Sequence, residues 1–137
     1  MEPMTYTTDV VMVDGTRIQT TVTSSGTAVE LFLREIRENQ RHLLVEIDTE
    51  WRVVFDSDGR PSNKTAVLQL CVGLRCLIFL ADYVPEAALR NFFPSEDHRF
   101  AGISVDHDAQ RLAEDYGMAI ANTVELKDVA AEVLQRP

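Results

Sequence analysis

The stretch LLVEIDTEWRVV, from Leu43 to Val54, decides the fold because it begins as an apolar strand and then carries two acids. Asp48 and Glu50 stand one residue apart, and Trp51 follows directly. Successive side chains of a strand point to opposite faces, so these two carboxylates project from the same face. Neighbouring carboxylates repel each other, and a hard divalent cation relieves that repulsion. The stretch therefore indicates either a metal site or a solvated strand end.

The rest of the chain predicts an α/β domain in which a mixed central sheet, made of a hairpin and further strands, is flanked by helices. β-Branched residues alternate on both sides of Asp14-Gly15, a pair that is typical of a type I′ hairpin turn. The polar stretch FDSDGRPSNK indicates a loop. The residues predicted to lie in adjacent strands of the sheet are Val45, Ile47, Val67, Leu68, Leu70, Leu77, Ile78, Phe79, Phe100 and Ile103.

Helices are predicted by their start and stop signals. Residues 27–38 form an amphipathic stretch that begins at Thr27, which we expect to be the N-cap. A second helix is expected to have Pro85 in its first turn. A third is predicted over residues 106–116, ending at Gly117.

Composition narrows the class of protein. The chain has 137 residues, of which 45% are hydrophobic, so we expect one globular domain over residues 1–137. A net charge of −9 opposes a generic basic surface for nucleic acid. No secretory signal or membrane span is predicted, so an intracellular protein, nuclear or cytoplasmic, is expected. Cys71 and Cys76 lie in apolar stretches and are predicted to be reduced core thiols.

Three segments in order, DTEW, AVLQLCVGLRCLIFL and FAGISVDHDAQRLAEDYG, resemble the Werner-type 3′–5′ exonucleases of the DEDD superfamily, which have a ribonuclease-H-like fold. The similarity runs from about Thr5 to the end of the chain. It implies that Asp48 and Glu50 are metal ligands of the first motif. It also implies Mg²⁺ or Mn²⁺ as cofactor, two-metal phosphodiester hydrolysis, and a nucleic-acid 3′ end as partner.

The second motif of the family places an Asp near the start of a helix, after a glycine-containing strand. Gly102 and Asp108 match it, and Asp108 is expected to be a further metal ligand. Asp106 is the neighbouring candidate, but the spacing to Leu112 favours Asp108. Ser104 stands where the family usually has a second glycine.

The family's third motif, Y-x-x-x-D, does not occur after Asp108 in these 137 residues. We therefore expect a C-terminally truncated exonuclease-like domain, similar to plant copies of the family, with little or no activity alone. The alternative is a non-catalytic interaction or regulatory protein. Loss of the terminal helices is expected to leave an apolar face near residues 124–134, which would bind a protein partner or form a homodimer rather than contact a membrane.

The same residues also have ordinary structural interpretations. Asp108 could be an acid that favours a helix N-terminus, where the macrodipole stabilises negative charge. Trp51 is expected to be a core residue, and His107 is expected to be solvated at a helix start. Without the family resemblance, the interpretation of Asp108 as a helix-start acid would prevail.

Overall fold

A computed structural model describes residues 3–38, 40–80 and 87–135. Within these residues the chain has seven strands and four helices. The strands are β1 (Thr5–Val11), β2 (Arg17–Thr23), β3 (Leu44–Phe55), β4 (Pro61–Val72), β5 (Arg75–Leu80), β6 (Arg99–Gly102) and β7 (Thr123–Glu125). The helices are α1 (Gly26–Arg37), α2 (Ala87–Phe92), α3 (Val105–Tyr116) and α4 (Leu126–Leu134).

All the strands join one mixed sheet with the order β1-β2-β5-β4-β3-β6-β7. The pairs β1/β2, β3/β4 and β4/β5 are antiparallel, whereas β2/β5, β3/β6 and β6/β7 are parallel. The predicted α/β class and mixed sheet are confirmed. Strand β3 lies between β4 and β6, so the acidic stretch runs through the interior of the sheet.

One face of the sheet carries the apolar core. On β3, Val45 and Ile47 are buried, and they belong to a single cluster with side chains of α1, α2 and α3. Residues directly opposite each other in a ladder share a face, so Asp48, Gln69 and Ile78 lie together on the other face. The buried members of the cluster are Val29, Phe32, Leu33, Ile36, Leu43, Val45, Ile47, Leu68, Leu70, Leu77, Phe79, Leu89, Phe92, Phe93, Phe100, Val105, Leu112 and Met118.

The β3–β4 hairpin is longer than the sequence indicates. The stretch predicted as a loop contributes to both strands, and the connection is confined to residues 56–60. The Asp56 side chain accepts hydrogen bonds from the backbone N–H groups of Asp58 and Arg60, and Gly59 has a φ of 77°. The loop prediction is wrong because both strands are largely exposed here. Exposed strands can be polar on both faces, so the sequence shows no alternation of apolar and polar residues that would indicate a strand.

The turn between β1 and β2 differs from the predicted type I′ turn. A type I′ turn needs positive φ at both central residues. Gly15 has a φ of 88°, but among the described residues the one non-glycine with positive φ is Ser104, so Asp14 does not. Asp14 instead accepts a hydrogen bond from the backbone N–H of Thr16, and the N–H of Gly15 donates to the carbonyl of Met12.

The helix predictions hold with shifted ends. Helix α1 begins after Ser25, whose hydroxyl accepts from the N–H of Ala28, so the N-cap is Ser25 rather than Thr27. Helix α3 matches the predicted span, and Gly117 follows it in the left-handed conformation. Pro85 lies outside the described residues. No helix in the described part of the chain is long and apolar enough to cross a membrane.

One strand prediction and one core prediction are wrong. Ile103 is exposed because β6 ends at Gly102 and the chain then leaves the sheet. Cys71 and Cys76 form a disulfide, because the β4–β5 register places them directly opposite each other with their Cα atoms 4.1 Å apart. Both cysteines are half-buried on the face of the sheet away from the core.

Candidate functional site

Gly102, the last residue of β6, lies very close to β3. A Cβ atom at this position would lie 2.7 Å from the carbonyl oxygen of Ile47, so a side chain would force the strands apart. Ser104 follows with a φ of 57°, in the left-handed region that favours glycine. This conformation agrees with the glycine that the family resemblance expects there. The Ser104 carbonyl accepts from the N–H of Asp108, which fixes the first turn of α3.

Asp108 lies in that first turn and faces β3. The residue is 8% exposed, and the Thr49 hydroxyl donates to its Oδ1 at 2.5 Å. Its buried Oδ2 has no hydrogen-bond partner among the described residues. Burial raises the pKa of this carboxyl group, the hydrogen bond from Thr49 opposes the rise, and the charge of Asp48 adds to it. Asp108 is therefore more than a solvated helix-start acid.

Asp48 and Glu50 flank Thr49 on β3, and both are exposed. Because side chains alternate along a strand, Asp48 and Glu50 share one face and Thr49, whose hydroxyl reaches Asp108, has the other. The charge of Asp48 nevertheless acts on Asp108, so these two carboxyl groups are close enough to interact. In residues 3–38, 40–80 and 87–135, no group of three or more His, Cys, Asp or Glu side chains is arranged to hold a metal ion. The convergence of Asp48, Glu50 and Asp108 on one cation stays a prediction.

The donors nevertheless have the chemistry that Mg²⁺ and Mn²⁺ prefer. All three predicted ligands are carboxylates, and Oδ2 of Asp108 is a buried acceptor without a donor in the described structure. Asp106 is engaged elsewhere, since its Oδ1 accepts from the hydroxyl of Thr123. The residues thus fit a divalent cation in donor type and in one available oxygen, with Asp108 as the buried ligand.

Trp51 is not a core residue. It is 50% exposed, and the guanidinium carbon of Arg111 lies 5.2 Å from the centre of its ring. Sequence reasoning missed Arg111 and Thr49. Arg111 lies three residues after Asp108 on α3, a spacing that places both on one side of the helix and could have revealed it. His107 is exposed at the start of α3, as expected.

Known proteins resemble the chain in sequence and in fold. Over 95 residues, or 67% of the chain, it is 28% identical to the bifunctional 3′–5′ exonuclease/ATP-dependent helicase WRN of Mus musculus. A crystal structure of the EXD2 exonuclease domain soaked in Mg matches 82% of the chain with a TM-score of 0.63 and 18% identity. The chain has the ribonuclease-H-like fold of the 3′–5′ exonuclease domains. A crystal of the same domain soaked in Mn matches 77% of the chain with a TM-score of 0.60 and 20% identity.

The matched proteins are longer than the chain. It spans 7% of WRN, and 58% and 54% of the EXD2 chains soaked in Mg and in Mn. No protein-family model matches the chain. The sequence similarity to WRN and the shared fold support homology to an exonuclease domain.

Proposed function

We propose that the chain is a nucleic-acid-binding protein of the 3′–5′ exonuclease type that holds a divalent cation weakly at Asp48, Glu50 and Asp108. The observation that carries the proposal is the buried Asp108, which bonds to Thr49 of the D-T-E stretch and leaves Oδ2 without a partner in the described structure. The similarity to a protein named for 3′–5′ exonuclease activity supports it. The soaking of EXD2 crystals in Mg and Mn accords with a divalent cation.

We further propose that these 137 residues hydrolyse nucleic acid slowly or not at all by themselves. Divalent cations in such sites activate a water and stabilise the departing oxygen. That chemistry depends on precise placement of charge, so a missing ligand costs orders of magnitude in rate. The residues after Asp108 contain no Y-x-x-x-D, which is the source of the fourth carboxylate in the family that the chain resembles.

The test is a nuclease assay on the 137-residue polypeptide. A duplex with a recessed 3′ end is incubated with Mg²⁺ or Mn²⁺, and the products are resolved by length. We expect no ladder of shortened products above that of an Asp48→Ala variant. A strong ladder that disappears in Asp48→Ala but persists in Asp106→Asn would contradict the proposed inactivity and would confirm the site.

Helix α4 favours a second candidate function, that of an interaction protein. No residue of α4 is buried, and Val129, Val133 and Leu134 are exposed. An amphipathic helix with an uncovered apolar side is typical of a contact with another surface. The second candidate is therefore a homodimer, or a complex with a protein partner, formed through residues 124–134.

Light scattering at micromolar concentration tests this candidate for the chain alone. We expect a dimer that Val133→Asp dissociates. The matched control is Leu74→Asp, which changes an exposed apolar residue at the distant β4–β5 turn. A monomer whose mass and stability are the same in the parent chain and in Val133→Asp would show that α4 mediates no such contact.

A further inference from the structure

The two edges of the sheet differ in how they are protected from further strand pairing. The strand order ends in β7 on one side and in β1 on the other. Strand β7 has three residues and leads directly into α4, whereas β1 has seven residues, all of them exposed. The register of β1 with β2 runs without a bulge from Thr5 to Val11, and the strand contains no proline or lysine. Shortness, bulges, proline and lysine are the usual means of blocking an edge, so β1 is an open edge.

The backbone of β1 presents its unpaired groups at alternate residues. The N–H of Met12 donates to the carbonyl of Thr16, and the N–H of Ser24 donates to the carbonyl of Met4. The even-numbered residues of β1 therefore bond to β2, because pairs with and without hydrogen bonds alternate in an antiparallel ladder. Within the described residues, β2 is the one strand that pairs with β1. The N–H and C=O groups that point away from the sheet belong to the odd-numbered residues Thr5, Thr7, Asp9 and Val11.

We propose that β1 pairs antiparallel with β1 of a second copy of the chain, about a two-fold axis at Thr8. The inference does not depend on the proposed function. This register sets Thr7 opposite Asp9 of the second copy. It also sets Thr5 opposite Val11 of the second copy, so all the outward N–H and C=O groups bond to one another. A register shifted by two residues would either oppose Asp9 to Asp9, where like charges repel, or leave Val11 without a partner in the strand.

The side chains of β1 are complementary to themselves in the same register. Thr5 and Thr7 line a cavity beside α1, so the even-numbered side chains lie on the face away from that helix. On that face Tyr6 and Val10, which are 51% and 45% exposed, would oppose each other across the contact. An aromatic side chain opposite a β-branched one is a favourable cross-strand pair, and the two-fold axis makes it occur twice.

Charge allows this contact locally and opposes it at long range. Asp9 is the one charged residue of β1, and its Oδ2 lies 3.7 Å from a guanidinium nitrogen of Arg17 on β2. In the proposed register, no like charges of the two β1 strands stand opposite each other. The net charge of −9 on each copy still repels the other, and one strand pair is a small contact. We therefore expect weak pairing, with a Kd on the order of 100 µM. Salt screens the repulsion, so the pairing should tighten as salt is raised.

The contact is separate from the one considered for α4. Helix α4 follows β7, so the two surfaces lie at opposite edges of the sheet. The parent chain for this test therefore carries Val133→Asp, which removes a contact through α4. Its concentration is varied from about one tenth to about ten times the expected Kd, above the micromolar range in which α4 is tested.

Amide exchange measured by NMR spectroscopy gives the direct readout, because pairing covers the outward N–H groups. We expect exchange at Thr7 and Asp9 to slow as the protein concentration rises, and to slow further in added salt. The N–H groups of Tyr6 and Thr8 already bond to β2, so their exchange should change much less. Sedimentation of the same samples measures the accompanying increase in mass.

Variants at one outward residue test the backbone contact and the register. Thr7→Pro removes an outward N–H, which an edge strand tolerates, and should weaken the pairing about tenfold or more. Thr7→Val keeps the N–H and should pair like the parent, while thermal unfolding at low concentration checks that both variants fold. Thr7→Lys faces Asp9 of the second copy and should strengthen the pairing about threefold at low salt. Asn63→Lys, at the exposed end of β4, makes the same change in net charge and should have a smaller effect.

Protection of the Thr7 and Asp9 amides that rises with concentration and is lost in Thr7→Pro would support the inference. An increase in mass without this protection would show that the copies meet through another surface, which would overturn it. A chain that stays monomeric at the highest concentration in added salt would also overturn it. Equal effects of Thr7→Lys and Asn63→Lys would contradict the proposed register.

Discussion

The two halves of β3 have the same strand geometry and opposite surroundings. In the inner half, Val45 and Ile47 are buried beneath the helices. In the outer half, Val53 and Phe55 stand on the same face but are exposed. Alternation along the strand is equal in both, so the difference comes from the helical layer, which covers the sheet only as far as α3. A strand pattern therefore predicts which residues share a face, but not whether anything covers that face.

The candidate site lies where the two halves meet. Asp48, Thr49 and Glu50 are the last residues before the bulge, and Asp108 approaches them from the end of the covered region. On one side of this boundary a carboxylate is buried, and on the other an aromatic ring is open to solvent. This boundary therefore places a buried carboxylate next to a surface that solvent can reach, which is a common arrangement at functional sites.

The largest expected effect comes from making one substitution in both halves. Val45→Thr places a hydroxyl in the core and should lower the free energy of unfolding by about 1–3 kcal/mol. Val53→Thr makes the same change on the exposed half and should alter it by less than about 0.5 kcal/mol. Urea denaturation of the two variants measures both values. Equal losses would show that the outer half is also covered in solution.

A smaller effect is expected where the end of the β3–β4 hairpin, residues 51–65, is hydrogen-bonded to α3. The carboxylate of Asp115 accepts from the N–H and the hydroxyl of the buried Thr65. Asp115→Asn keeps the shape but replaces charge-assisted bonds with neutral ones, so a loss of about 1 kcal/mol is expected. Amide exchange at Thr65 should accelerate, while exchange at Leu70 in the inner half should follow global stability alone. Unchanged exchange at Thr65 would contradict the anchor.

Sequence reasoning recovered the inner half of this molecule and missed the outer half. The apolar residues before Asp48 predicted the strand, and the stretch over residues 106–116, ending at Gly117, predicted α3. The exposure of Trp51 could not be predicted, because it depends on where α3 ends on the sheet. The Cys71–Cys76 pairing depends on the β4–β5 register, which local apolar context does not specify.

The contact between Thr49 and Asp108 was also beyond the sequence pattern. The D-T-E stretch drew attention to its two acids, whereas the residue between them is the one whose side chain reaches Asp108. Alternation does predict that Thr49 faces away from Asp48 and Glu50. It does not predict that a helix from β6 would arrive on the Thr49 side, because that requires the close approach of Gly102 to Ile47.

The smallest expected effect is a pH dependence on the inner side. His98 is buried, its Nδ1 accepts from the N–H of Leu43, and its ring lies near Phe92 and Phe100. Burial lowers the pKa of His98 below its ordinary value of 6.5, the charge of Asp97 opposes the shift, and the charges of Arg37 and His42 add to it.

The unfolded chain therefore binds the His98 proton before the folded chain does, and stability falls as the pH decreases from 6.5 towards the lowered pKa. The difference in unfolding free energy between the parent chain and His98→Asn should shrink across this window. This difference is measured from denaturation curves recorded from pH 7.5 downwards, at intervals of about half a pH unit. A difference that stays constant with pH would contradict the assignment.

Titration with Mn²⁺, followed by calorimetry, tests most directly whether the boundary between the two halves of β3 is a cation site. We expect weak binding by the parent chain, since only three of the four expected carboxylates lie in these residues. Binding should be lost in Asp108→Asn and in the double variant Asp48→Ala/Glu50→Ala, and it should persist in Asp106→Asn, whose acid faces Thr123. Equal binding by all of these variants would contradict the account, because the ion would then bind elsewhere.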